Sequence, residues 1–130
     1  PVCILNGAAL YDPKKGTFTA VESFSEEAVG KLGNLLEKNG FSVVRDLCGH
    51  GVGLEFHEEP EVTHFGRKGT GMLLVSGMVF TIEPMINMGT YRVYIAEEDG
   101  WTVITDDELP SAQWEHTFVM RENGLEILSD

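Results

Sequence analysis

The chain is 130 residues long, 42% hydrophobic, and carries a formal net charge of −12 from 21 acidic against 9 basic side chains. That length makes one domain with room for a core, and the acidic balance argues against nucleic acid and anionic membrane as partners. Cys3 and Cys48 are too few for a disulfide framework, no apolar run reaches membrane-spanning length, and no signal-peptide pattern opens the chain. The expected location is the cytoplasm.

In chain order, Val2 to Leu5 reads as a short apolar strand and Asn6-Gly7 as a turn. Ala8 to Tyr11 leads into a second turn at Asp12 to Gly16, and Phe18 to Val21 returns as a strand. Ser25 ahead of Glu26 and Glu27 makes a helix N-cap with acids in the first turn, where the helix dipole favours them. Ala28, Val29, Leu32, Leu35 and Leu36 then recur at helical spacing, and Asn39-Gly40 closes the helix. The leucine stripe is expected to be a core face. Phe41 to Val44 is a β-rich strand that delivers the chain to its most informative segment.

That segment, Cys48 to Pro60, holds His50 and His57 among Gly49, Gly51 and Gly53. It is expected as a loop whose glycines let the backbone come close to a ligand. A neutral imidazole suits zinc, iron, cobalt or manganese; the plain alternative is a glycine-rich loop with polar histidines on it. Glu61 to Gly71 reads as a polar surface loop, with His64 a loop histidine rather than a ligand. Phe80 to Ile86 reads as a strand carrying Glu83 in an apolar run, and Ser111 to Met120 repeats that design with Glu115. A carboxylate inside an apolar strand is costly unless paired or bound to metal. Two of them, with a histidine, read as ligands converging on a cation. Tyr91 to Ile95 and Trp101 to Thr105 form a hairpin across Glu97 to Gly100. Asp106 to Pro110 is a loop, and Asn123-Gly124 turns into a last strand, Leu125 to Leu128. The acidic clusters at 26–27, 58–59, 97–99 and 106–108 read as solvated faces.

The motifs GHGVG, FHEEP, FTIEP and SAQWEHT, in that order, resemble the C-terminal half of type I methionine aminopeptidases, from about Gly40 to Leu128. Prolidases and creatinases share the general plan but not this wording. The resemblance implies an α+β chain, one half of a pita-bread fold, with an antiparallel curved sheet and a covering helix. It implies a divalent metal (cobalt, manganese, iron or zinc), dinuclear in the family, with one ion or none here. His50 and Glu83 would each bind one metal and Glu115 would bridge both. His57 would contact the substrate's peptide group and stabilise the developing charge. Phe56 and Trp101 would line the pocket for a methionine side chain, whose unbranched thioether suits an aromatic wall. The implied substrate is the N-terminal methionine of a peptide or nascent chain.

The chain also departs from that family. Two aspartates from the N-terminal half complete the family's metal site, and another histidine there faces the substrate. Asp12 falls in a turn and Asp46 shortly precedes the histidine segment, so neither matches. Residues 1–22 are expected as a separate lead-in, and 23–130 as the C-terminal half. The wording ILNGAALYDP resembles a stretch of haloacid-dehalogenase-like phosphatases, but their Asp-x-Asp nucleophile motif is absent, so no phosphatase chemistry follows. The expected partner is a second copy, in a homodimer of like halves, or a separate N-terminal half. The alternatives to an aminopeptidase are a non-catalytic peptide- or protein-binding module and a truncated or recombined, inactive remnant.

Overall fold

The computed structural model describes residues 9–12, 17–20, 26–66 and 71–129. The strand expected at Val2 to Leu5, the turn at Asn6-Gly7 and the Ser25 cap lie outside them. Strands β1 (Ala9–Asp12) and β2 (Thr17–Ala20) pair as an antiparallel hairpin. Asp12 is therefore the last residue of a strand. Helix α1 (Glu26–Lys38) follows and stops where expected. Gly40 takes φ +76°, a left-handed conformation that favours glycine, and its N–H donates to the Glu37 carbonyl at 3.1 Å.

The leucine stripe of α1 is not the core face it was expected to be. Leu32 and Leu35 are 46% and 59% exposed, while Leu36 is half-buried. Helical periodicity shows that a helix has an apolar face; it does not say that the same chain covers it.

After α1 come β3 (Phe41–Val43), β4 (Gly49–Gly51), β5 (Glu58–Val62), β6 (Val79–Ile82) and β7 (Met85–Met88). Then follow β8 (Val93–Ile95), β9 (Val103–Thr105), β10 (Ser111–Gln113), β11 (His116–Arg121) and β12 (Gly124–Ile127). One five-stranded sheet runs β12-β11-β6-β4-β5, a three-stranded sheet runs β10-β7-β3, and β8 pairs with β9. Among the described residues, every pairing is antiparallel. The architecture is α+β, with helix α1 against β3.

Two strands expected to be continuous are broken, each at its carboxylate. Phe80 to Ile86 splits at Glu83-Pro84, because proline has no N–H for the ladder and restricts the residue before it. Ser111 to Met120 splits at Trp114-Glu115. At both breaks the chain passes between the three-stranded and the five-stranded sheet. The register does not slip: Ile82 pairs with His116 before the gap and Met85 with Gln113 after it. Carried through the gap, that register sets Glu83 opposite Glu115.

The core alternates along these same strands. Met78, Phe80 and Ile82 meet Phe118 and Met120, together with Val62 and Leu74. Phe80 and Phe118 are register partners with ring centroids 6.3 Å apart. A strand buries every second residue on one face, so Thr81 and Glu83 share the face opposite Phe80. The β8–β9 hairpin forms as expected, its turn held by Asp99, whose Oδ1 accepts the Trp101 and Thr102 N–H groups, both at 2.9 Å.

Candidate metal centre

His50 is the middle residue of β4, so the segment expected as a loop is a strand at its key position. The flanking glycines explain how. A Cβ on Gly49 would run into the Thr81 carbonyl oxygen, and one on Gly51 into the Glu59 carbonyl oxygen. Only glycine lets β4 sit this tightly between β6 and β5. The half-buried His50 ring places Nδ1 2.9 Å from the Gly51 carbonyl oxygen. A carbonyl can only accept, so Nδ1 carries a proton, and Nε2 is the nitrogen that offers a lone pair whenever the ring is neutral. That Nε2 lies 3.5 Å from Glu83 Oε1.

Glu83 is held from three sides. Oε1 accepts the Thr81 hydroxyl at 2.7 Å, Oε2 accepts the Gln113 amide at 3.0 Å, and the Glu83 N–H donates to His64 Nε2 at 3.0 Å. Glu115 stands across the ribbon from it. One donor atom from each of His50, Glu83 and Glu115 lies within 4.8 Å of the others. The set offers an imidazole lone pair and two carboxylates at one point. Donors of these types suit a divalent cation.

The other expected site residues divide. His57 stands beside the ligand cluster rather than in it, its ring in edge contact with that of His50 at 4.3 Å between centroids. Phe56 packs on both histidine rings, 4.5 Å from His57 and 5.7 Å from His50. His57 and Trp101 line an open cleft of about 1120 Å³ that also exposes His50, Glu83 and Gln113; Phe56 is not part of its wall. Asp46 faces the same cleft but stays outside the ligand cluster. Cys48 also lines it, and burial, with the charge of Glu61 next, pushes its thiol above the ordinary range.

Sequence reasoning missed two supporting residues. His64 was expected on a surface loop, yet it is 2% exposed, and burial lowers its pKa below the usual histidine value. Glu61 and Val62 belong to β5, and that strand carries His64 inward to the Glu83 main chain. Thr81 also escaped notice, since one threonine in an apolar strand carries no signal of its own. Besides donating to Glu83, its hydroxyl accepts the His50 N–H at 3.0 Å.

Comparison with known proteins gives the family of the chain. Residues 19–122 match metallopeptidase family M24. The chain is similar to methionine aminopeptidase B of Synechocystis sp., 55% identical over 93 residues, covering 72% of this chain and 34% of the relative. It is likewise similar to the methionine aminopeptidase of Salmonella typhimurium, 57% identical over 93 residues, covering 72% of this chain and 35% of the relative. The chain thus spans about a third of the length of the curated relatives it matches. Among solved structures it resembles the methionine aminopeptidase of Rickettsia prowazekii, with TM-score 0.68 and 48% identity over 76% of this chain and 40% of that one. The methionine aminopeptidase of Thermotoga maritima gives TM-score 0.64 and 37% identity over 86% of this chain and 55% of that one. Among the described residues, the antiparallel sheets and one helix are one half of a pita-bread fold. With the match running over most of its length, the chain belongs to metallopeptidase family M24.

Proposed function

We propose that the chain is the C-terminal, metal-binding half of a methionine aminopeptidase, acting on the N-terminal methionine of peptides and nascent chains. The observation that carries this reading is the convergence of His50, Glu83 and Glu115 on one point at the edge of a cleft. Cobalt, manganese, iron and zinc all suit the donor set. His50, Glu83 and Glu115 would hold the metal, and three protein donors would suffice for one ion in this chain by itself. When bound, the metal supplies Lewis acidity toward the substrate carbonyl.

The chain's own residues do the rest. His57 is exposed beside His50 and can donate a hydrogen bond to the substrate's peptide group, where charge develops. Trp101, from the cleft wall, and Phe56, against the histidines, receive the thioether side chain. Such substrates emerge in the cytoplasm, which is where the reading places the protein. The net charge of −12 supports no role for nucleic acid or anionic membrane.

We further propose that a second copy, standing in for a separate N-terminal half, closes the open side of the cleft. Exposed Phe56 against the histidines, exposed Trp101 on the cleft wall, and exposed Leu54, Leu32 and Leu35 support a protein cover. A monomer by sedimentation at micromolar concentration would count for the separate N-terminal half instead. Residues 1–22 form a lead-in of their own, ahead of a family half that starts at about residue 23.

The test reconstitutes purified protein with manganese or cobalt, counts bound metal, and assays methionine release from a Met-Ala peptide. Turnover that Glu115→Ala abolishes supports the reading. Metal bound without turnover favours a peptide-binding module; no bound metal favours an inactive remnant.

A further inference from the structure

We infer that Thr81 is the positioning residue that makes His50 and Glu83 a single rigid unit, an inference that rests on the metal-centre reading above. Thr81 is 2% exposed, and its hydroxyl makes two bonds whose directions are fixed by chemistry. The His50 N–H can only donate, so the hydroxyl oxygen accepts it, at 3.0 Å. The Glu83 carboxylate can only accept, so the hydroxyl proton goes to Oε1, at 2.7 Å. One oxygen atom thus ties the main chain of one ligand to the side chain of the other.

Each bond has its own effect. The β4–β5 register shifts between Gly49 and Gly51, and β4 pairs with β6 at Gly51 and Phe80. His50 sits at that irregularity, and its N–H is satisfied by the Thr81 side chain in place of a ladder carbonyl. With glycine on both sides of His50, neither chain neighbour offers a side chain to hold its main chain in place, and the Phe56 and His57 contacts reach only its ring. On the other ligand, Thr81 engages Oε1, the oxygen that faces His50 Nε2 at 3.5 Å, while Gln113 engages Oε2. The hydroxyl therefore sets where both donor atoms stand before any cation arrives. Supporting groups of this kind shift metal affinity because they orient the ligands they touch.

The experiment measures manganese and cobalt binding by calorimetry on the full chain and its T81V, T81S, T81A and E83Q variants, with urea unfolding of each. T81V keeps the branched shape and removes both bonds; T81S keeps the hydroxyl. The expected result is an affinity loss of about tenfold or more in T81V and T81A, with T81S within about threefold of the parent. Amide exchange adds a readout that needs no metal: the His50 N–H exchanges faster in T81V and T81A than in T81S. If T81V does not fold, the serine–alanine pair carries the same comparison, since those two differ only in the hydroxyl. Parent-like affinity in T81V and T81A while E83Q loses the metal overturns the role of Thr81 and leaves the metal centre standing. Failure of the parent chain to bind either ion, or unchanged binding in E83Q, overturns both.

Discussion

His50 Nε2 and Glu83 Oε1 face each other at 3.5 Å, and because Nδ1 donates to the Gly51 carbonyl, it is Nε2 that is left to face the carboxylate. A divalent cation placed between the Nε2 lone pair of a neutral His50 and that carboxylate would be ligated by both. His50→Ala is therefore expected to weaken cobalt binding by more than the roughly tenfold loss typical of a supporting group. Calorimetry on the variant decides the point, and affinity equal to the parent's would remove His50 from the ligand set.

Gly51 and Gly33 make a matched pair of substitutions. A Cβ at Gly51 meets the Glu59 carbonyl oxygen, whereas one at Gly33, inside α1, meets nothing within 4 Å. Gly51→Ala is expected to destabilise by about 1–3 kcal/mol through overpacking and to weaken metal binding by displacing His50. Gly33→Ala is expected to stabilise by about 0.5–1 kcal/mol, because glycine costs entropy in a helix. Urea midpoints of the two variants should move in opposite directions.

Phe80 is fully buried at the centre of the core cluster. Truncating such a ring to alanine costs about 3–5 kcal/mol, against a total of about 5–15 kcal/mol for a typical domain. Phe80→Ala should be marginally folded at room temperature, with broadened amide signals along β6 and β11. Well-dispersed spectra and a parent-like urea midpoint would contradict the assigned core.

Asp99 supplies the pH dependence of the β8–β9 turn. Hydrogen bonds from the Thr102 hydroxyl, then from the Thr102 and Trp101 N–H groups, hold its carboxyl below the ordinary value of 3.8. A depressed native pKa means that the carboxylate's contribution is complete above about pH 3.8 and is lost as pH falls through the native value. The Trp101 and Thr102 amide shifts should titrate together below that pH. A shared midpoint at or above it would mean that the cap does not form in solution.

Trp101 is 76% exposed on the cleft wall. Trp101→Ala should leave stability within about 0.5 kcal/mol of the parent, as for most surface changes. If it receives the methionine side chain, KM for methionyl peptides rises while the urea midpoint stays put. An unchanged KM would take Trp101 out of the pocket.

Much of the fold was legible because its signals are local. The end of α1 follows from Asn39-Gly40, and the β8–β9 hairpin from alternation around Asp99-Gly100. The nearness of Glu83 and Glu115 could be anticipated because a carboxylate in an apolar strand needs a reason to be there. The strand breaks at those same carboxylates were harder to see, although Pro84 announced one of them. His64 and the leucines of α1 show where local reading runs out. Burial depends on what the rest of the fold brings alongside, and neither a polar loop nor an apolar stripe carries that information. Thr81 is the extreme case, since its importance lies wholly in two bonds to residues distant in sequence or set by strand geometry.

The three donors come from the middle of β4 and from the two places where a ribbon of constant register passes between sheets. A cation held there would clamp β4 to both arms of the ribbon, so that unfolding must release it. Occupancy and melting are then thermodynamically linked: at free metal a hundredfold above Kd, the native state gains about 2.7 kcal/mol. The melting temperature thereby becomes a meter for the choice of metal. Cobalt, manganese, iron and zinc could be ranked by how far each raises it, with no substrate and no turnover required.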